Sequence, residues 1–336
     1  MTVQIRASAV GANSFAPIRS PRAARANEFV ATAVFLLVVV ALAGCASGDG
    51  PSGSSMTISE CMDPARADSP DVRRNLLAMR GAPLCYRRQE VREGPFRWVF
   101  HILEHRKASD GPFWVLPHDN EDTAFDVAVR GVVTYGGALL AVDSGGRRNL
   151  GQDPNRNFST SLSESRLCRK QRQPAPGFTA AVLDHYKGRR GPYLALHNNH
   201  DGWHGNGGRG TISLYRETAV LRGFPSARAE GQLRDEDNLV FLAGSRALSS
   251  DPAARRRIAD LNAAGLNVVY KQVDTRSFDC SLSDYIARHQ LGDYYNLEAQ
   301  YGQRQAQQDM LERLMQNLGI RTVRRAAASP FLGSSG

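Results

Sequence analysis

The stretch "FWVLPHDNEDTAF", residues 113–125, predicts a buried strand that ends at a proline and is followed by a helix. His118 and Glu121 lie three residues apart in the connection between the two elements, so both side chains can face one point. Ligands bind beyond the carboxyl ends of strands in α/β sheets. We therefore expect a ligand site at the end of this strand.

Similar apolar runs and helical periods alternate along the chain from residue 96 onward. Strands are predicted at 96–105, 113–116, 137–143, 192–197, 211–216, 238–244, 267–273 and within 293–302. Helices are predicted at 122–133, with Asp122 as N-cap, at 178–188, at 252–265 and around Leu311–Leu318. This alternation predicts an α/β fold with a mixed, largely parallel twisted sheet and helices on both faces.

The composition is that of a globular protein. The chain has 336 residues, of which 42% are hydrophobic and 22% are charged. Its formal net charge is +9, but the lysine and arginine residues do not form the clustered blocks of a nucleic-acid-binding surface. The sequence therefore predicts no nucleic-acid partner.

The first 45 residues read as a lipoprotein signal peptide. Basic residues precede an apolar run from Phe29 that is too short to span a membrane and that ends in small residues. Leu42–Cys45 resembles the bacterial lipobox, which implies lipidation of Cys45 and a lipid-anchored location in the cell envelope. Because Ala46 follows, the resemblance implies the outer membrane in a Gram-negative host. An ordinary signal peptide or a short anchor is the alternative.

Two further segments follow this leader. Residues 46–58 are rich in Gly, Ser and Pro and predict a flexible tether, and residues 59–336 predict a single catalytic domain. Four cysteines remain after Cys45, namely Cys61, Cys85, Cys168 and Cys280. An even number of cysteines outside the cytoplasm favours disulfides, but three pairings are open.

Three more places carry residues suited to chemistry. The loop "DPNRNF", residues 153–158, contains Asn155 and Arg156. His197 ends a buried strand, and Glu298 lies within an apolar one, where a carboxylate without a purpose would be costly to bury.

Taken in order, these residues resemble the motifs of the zinc carboxypeptidase superfamily, which includes carboxypeptidase A. The resemblance spans about residues 96–320 and implies one zinc ion held by His118, Glu121 and His197. It also implies that Glu298 is the general base and that Asn155 and Arg156 bind a substrate carboxylate. The implied activity is hydrolysis of an amide bond next to a free carboxylate, with peptides or cell-wall stem peptides as substrates.

Two residues of that family have no secure counterpart in this sequence. Arg147 and Arg148 are candidates for the arginine that stabilises the oxyanion. Tyr270, Tyr294 and Tyr295 are candidates for the tyrosine that covers the substrate.

Several alternatives remain at the level of sequence. His200 and His204 are four residues apart, a spacing that binds zinc on helices, although the surrounding glycines favour a loop. An acyl-amino-acid hydrolase of the succinylglutamate desuccinylase or aspartoacylase type shares part of the motif set. A non-catalytic envelope protein that binds peptide or murein is the third reading.

Overall fold

The computed structural model describes residues 54–168 and 173–323. This part of the chain forms one large mixed sheet with helices on both faces, which confirms the predicted α/β class. No helix in these two ranges is long and apolar enough to cross a membrane. The predicted signal peptide, Cys45 and most of the predicted tether lie outside the described residues.

The bounds of the elements are as follows. The strands are β1 (Ser55–Ile58), β2 (Leu84–Glu93), β3 (Phe96–His105), β4 (Phe113–Leu116), β5 (Ala138–Asp143), β6 (Tyr193–Asn199), β7 (Leu221–Phe224), β8 (Leu239–Gly244), β9 (Val268–Gln272) and β10 (Tyr294–Gln300). The α-helices are α1 (Pro70–Arg74), α2 (Leu76–Met79), α3 (Asp122–Tyr135), α4 (Leu162–Ser165), α5 (Pro176–Asp184), α6 (Pro252–Ala263), α7 (Leu282–His289) and α8 (Arg304–Asn317).

The strands follow the order β1-β2-β3-β5-β4-β6-β10-β8-β9-β7 across the sheet. Strands β5, β4, β6 and β10 run parallel to their neighbours in this series, so their carboxyl ends lie at one edge of the sheet. Antiparallel pairing joins β1, β2, β3 and β5 on one side. On the other side, β10 pairs antiparallel with β8, β8 parallel with β9, and β9 antiparallel with β7.

Apolar side chains fill both faces of this sheet. On β4, Trp114 and Leu116 belong to the apolar cluster that includes residues of α3, α6 and α8, whereas Phe113 and Val115 belong to the cluster that includes residues of α5 and α7. Successive strand residues point to opposite faces, so a strand covered on both sides is apolar at every position. This explains why "FWVL" has no polar alternation.

Two predictions about secondary structure are wrong. Residues 211–216 form no strand, because Leu214 packs into a small apolar cluster while the surrounding backbone bonds to isolated groups rather than to a ladder. Ser55–Ile58, placed in the tether by its composition, forms β1 and pairs antiparallel with β2. The composition of this segment does not predict a strand, but its pairing with the long strand β2 stabilises one.

The four cysteines of the domain form two disulfides. Cys61 is paired with Cys85, which is 24 residues away, and Cys168 is paired with Cys280, which is 112 residues away. One of the three open pairings is thereby selected. The second disulfide links the segment after the "DPNRNF" loop to the chain just before α7.

Candidate metal centre and substrate cavity

Helix α3 begins at the turn that carries His118 and Glu121. Glu121, not Asp122, is the N-cap residue, and its side chain makes no capping hydrogen bond. The carboxylate of Glu121 is instead directed at two histidines, while Asn198 of β6 accepts a hydrogen bond from Ala124 N at 3.0 Å. The prediction of Asp122 as N-cap is therefore wrong, because a neighbouring strand caps the helix.

His118, Glu121 and His197 meet at one buried point. Nδ1 of His118 lies 2.9 Å from Oε1 of Glu121, and Nδ1 of His197 lies 3.0 Å from Oε2. The two Nδ1 atoms are 3.2 Å apart. Within the described residues, these three form the one group of at least three His, Cys, Asp or Glu side chains close enough to share an ion.

The charges at this point suit a cation. Burial alone would raise the pKa of Glu121, but His118 and His197 outweigh it and lower that pKa well below its usual range. Burial would likewise lower the pKa of His118, but Glu121 and Asp153 outweigh it and raise that pKa. A fully buried carboxylate thus stays ionised beside two imidazole nitrogens, and the three residues could hold a metal ion.

The outer side of His118 contacts a second carboxylate. Nε2 of His118 lies 2.9 Å from Oδ1 of Asp153. The same oxygen accepts a hydrogen bond from Asn155 N at 2.9 Å, at the start of a 3-10 turn over Pro154–Arg156. Asp153 therefore fixes both the ring of His118 and the loop that follows, as carboxylates behind metal-binding histidines commonly do.

Glu298 comes to the same site from the neighbouring strand. Glu298 of β10 and His197 of β6 are direct partners in the parallel register. Asn296, two residues earlier on the same face, donates a hydrogen bond from Nδ2 to Oε1 of Glu298 at 2.9 Å. Gln307 of α8 donates to both His197 O and Leu297 O, which ties the two strands together.

Asn155 and Arg156 lie in the wall of the same cavity. Oδ1 of Asn155 accepts a hydrogen bond from Leu282 N at 3.1 Å, so the Nδ2 end of this amide is the part that can serve a ligand. Nη2 of Arg156 lies 3.6 Å from Oδ2 of Asp279. Nε of Arg156 is buried and has no hydrogen-bond partner among the described residues. Nη1 of Arg156 donates a hydrogen bond to Asn155 O at 2.7 Å. Because the contact of Nη2 with Asp279 is long, the guanidinium retains N–H donors for an incoming carboxylate.

One cavity of about 580 Å³ contains all six predicted residues of the active site. They are His118, Glu121, Asn155, Arg156, His197 and Glu298. Of the two arginines considered for the oxyanion, Arg148 lines this cavity and lies 2.9 Å from Oε1 of Glu121, whereas Arg147 is not part of the wall.

The three tyrosines considered for the substrate cover are buried and do not line the cavity. Tyr301 does line it, and its hydroxyl oxygen accepts a hydrogen bond from Asn120 at 3.1 Å. His200 lines the wall with its ring against Tyr301, while His204 lies in a short exposed turn. Lys271 and Tyr301 also line the wall, and no motif in the sequence had assigned them to it. Asp153, the first residue of the "DPNRNF" loop, lines it as well.

Comparison with known proteins gives distant structural likenesses. No family model and no curated protein matches the chain. Three of the similar solved structures are described as a putative metallopeptidase or carboxypeptidase A. One, from Shewanella amazonensis SB2B, is 11% identical over 66% of this chain and 83% of its own, with a TM-score of 0.37.

The other two are from Shewanella denitrificans. One is 15% identical over 65% of this chain and 78% of its own, with a TM-score of 0.34. The second is 10% identical over 68% of this chain and 62% of its own, with a TM-score of 0.35. Likeness at this level shows neither the family nor the activity of this chain.

Proposed function

We propose that this chain is a zinc-dependent hydrolase that cleaves an amide bond next to a free carboxylate. The observation that supports it is the meeting of four separate segments in one cavity. Those segments supply the buried group of His118, Glu121 and His197, the carboxylate of Glu298 and the guanidinium of Arg156. A metal site, a base and an anion-binding group are the parts that such a reaction requires.

Zinc is the metal that fits this set of ligands best. Two imidazole nitrogens and one carboxylate form a common protein ligand set of catalytic zinc, with a further position open to water or substrate. Bound there, zinc would polarise the scissile carbonyl and make a water molecule more acidic. Asp153 would hold His118 in the orientation that directs Nδ1 at the ion.

Glu298 is the proposed general base. It lines the cavity beside His197, so it can accept a proton from the attacking water and later donate that proton to the leaving amine. The hydrogen bond from Asn296 occupies one carboxylate oxygen and leaves the other for this transfer. The carboxylate of the substrate would bind Arg156, whose planar guanidinium matches it, and Nδ2 of Asn155.

The proposed location in the cell envelope favours one class of substrate, the stem peptides of the cell wall. A lipid anchor at Cys45 would hold the enzyme in the bacterial cell envelope, where stem peptides of the cell wall end in free carboxylates.

The test combines metal analysis of the purified chain with incubation on stem peptides and on peptides with free carboxyl termini. We expect bound zinc in the wild type, loss of the metal in His118→Ala, and loss of activity on chelation. Glu298→Gln should keep the metal and lose about 10²- to 10⁴-fold in kcat. Glu312→Gln, which changes an exposed carboxylate on α8, is the matched control and should leave kcat unchanged.

Three other results would contradict parts of this proposal. Full activity in Glu298→Gln would remove the base assignment. Cleavage of N-acyl amino acids with no cleavage of peptides would favour the acyl-amino-acid hydrolase. Binding of peptides by a metal-loaded wild type that cleaves none of them would favour the non-catalytic alternative.

A further inference from the structure

The cavity continues past Arg156 to a second buried cation, Lys271 of β9. Nζ of Lys271 lies 2.8 Å from Oδ2 of Asp284 and 3.2 Å from Oδ2 of Asp279. The side chain is only 13% exposed, yet it forms part of the cavity wall. An ammonium group has three N–H donors, so two carboxylate contacts leave a third donor for a ligand.

Lys271 and Arg156 are close neighbours, because both contact the same oxygen, Oδ2 of Asp279. Burial alone would raise the pKa of Asp279, but the two cations outweigh it and lower that pKa well below its usual range. Burial and the charge of Asp279 raise the pKa of Asp284 to about 7. Lys271 and Arg156 thus place two cations side by side in this part of the cavity.

The cavity wall as a whole carries more cations than carboxylates. Its charged side chains are five cations, namely Arg148, Arg156, Arg209, Arg216 and Lys271, and four carboxylates, namely Glu121, Asp153, Asp279 and Glu298. Arg209 and Arg216 form no salt bridge with any described residue. Glu121 and Asp153 already contact His118. A bound metal ion would add further positive charge, so the cavity favours an anionic ligand.

On the side away from Asp279 and Asp284, the wall next to Lys271 is apolar. Leu221 of β7 is the direct register partner of Lys271, and Val220 and Phe241 line the same part of the cavity. A short aliphatic segment can pack against these side chains. The cation beyond them suits a negatively charged end group.

We propose that Lys271 selects substrates whose terminal residue carries a second carboxylate, so that the enzyme prefers peptides that end in glutamate or aspartate. Arg156 and Asn155 would hold the α-carboxylate, and Lys271 would donate its remaining N–H to the side-chain carboxylate. This inference rests on the proposed function, since it assigns the substrate class of that same cavity. Lys271 is a specificity residue and takes no part in bond cleavage.

The experiment compares peptides Ac-Ala-Ala-Ala-X in which X is Glu, Gln, Lys or Phe. Glu and Gln have nearly the same shape, so their ratio isolates the charge. Binding is measured by calorimetry with zinc-loaded Glu298→Gln, which does not depend on turnover, and kcat/KM is measured with the wild type. A hydrogen bond to a charged group predicts that Glu binds about 10- to 100-fold more tightly than Gln.

The variant that removes the cation is Lys271→Met. Because this substitution leaves Asp284 without its partner, Lys271→Met combined with Asp284→Asn provides a second variant without that buried charge. Both should lose the preference for Glu over Gln, while Lys187→Met, at an exposed lysine outside the cavity, should keep it.

The possible results test the role of Lys271 and the proposed hydrolase activity separately. Equal binding of all four peptides, or tighter binding of Gln, Lys or Phe, overturns the role of Lys271 even if the wild type cleaves them all. A preference for Glu that survives in the double variant also overturns it. Absence of cleavage by the zinc-loaded wild type overturns the hydrolase, and the binding ratio then still decides the role of Lys271.

Discussion

Asp153 lies 2.9 Å from Nε2 of His118, on the side of the imidazole ring opposite the atom that faces Glu121 and His197. The ring is thus held between two carboxylates, with Nδ1 directed inward. Asp153 also caps the turn that carries Asn155, so one side chain connects the metal centre with the group proposed to bind the substrate.

Replacing this carboxylate should weaken the metal site. We expect Asp153→Asn to reduce zinc affinity by about 10- to 100-fold, because the neutral amide holds the imidazole less firmly and makes Nδ1 less basic. Competition with a chromophoric chelator measures the affinity. Asp201→Asn, at an exposed carboxylate outside the ligand group, is the control. Unchanged zinc affinity in Asp153→Asn would show that the carboxylate of Asp153 does not help His118 to bind the metal.

Zinc affinity should also decrease as the pH is lowered. Glu121 and Asp153 outweigh the effect of burial and raise the pKa of His118, so protons compete for this imidazole at a higher pH than for an ordinary histidine. A metal that displaces one proton loses about tenfold in affinity for each pH unit below that pKa. Zinc titrations between pH 8 and pH 5 measure the slope.

The Asp153→Asn variant provides the internal check on this titration. Removing the carboxylate lowers the pKa of His118, so the decline should begin at a lower pH than in the wild type. A zinc affinity that stays constant from pH 8 to pH 5 would contradict the assignment of His118 as a ligand.

The disulfide between Cys168 and Cys280 should support the substrate-binding wall. Cys280 has φ of 58°, a conformation that residues other than glycine rarely adopt, and its carbonyl accepts a hydrogen bond from Phe158 N at 3.0 Å. Asp279, just before Cys280, contacts Arg156, and the backbone N–H of Leu282, just after it, donates a hydrogen bond to Asn155. Replacing both cysteines by alanine should cost about 2–4 kcal/mol of stability and raise KM more than it lowers kcat.

Denaturant titration and steady-state kinetics measure these two effects. The matched control replaces Cys61 and Cys85, whose disulfide closes a shorter segment and does not line the cavity. This control should lose stability with an unchanged KM. Equal KM values in both double variants would mean that the Cys168–Cys280 link does not position the wall.

Gly131 should be essential for the packing of α3 on the sheet. A Cβ atom at Gly131 would lie 2.6 Å from the indole of Trp114, which is fully buried and donates a hydrogen bond to Gly136 O. Alanine is the better helix former, but here the clash should outweigh that gain and Gly131→Ala should lose about 1–3 kcal/mol. Urea denaturation measures the loss, with exposed Arg130→Ala as control. A variant as stable as the wild type would show that the indole can move aside.

Much of the fold is predictable from strong local patterns. The limits of β3 and β4 agree with the sequence prediction. For β4 the reason is a continuous apolar run, which marks a strand that is buried on both faces. Strand β7 was not predicted, since "LRGF" is short, contains a glycine and lies at the sheet edge. Helix α7 was missed although Leu282, Tyr285 and Ile286 have helical spacing and Ser281 caps the first turn, because the helix has only eight residues and gives a short pattern.

The site likewise contains residues that the sequence predicts and residues that it does not. His118 and Glu121 follow the end of β4, and His197 lies near the carboxyl end of the parallel strand β6, so their meeting is expected once the strands are parallel. Lys271 and Tyr301 reach the cavity through strand order and side-chain length, which no local pattern shows. The sequence alone therefore predicts the ligand group better than it predicts the wall around it.

The register of β6 and β10 has a consequence for how such a protein could change. Glu298 and His197 are as far apart as two adjacent strands, about 4.8 Å between backbones, and Gln307 holds the strands together. The loops that surround the opening take no part in this spacing. Mutations there can alter which molecules enter while the relation between base and ligand stays constant, so selectivity and reactivity can evolve separately.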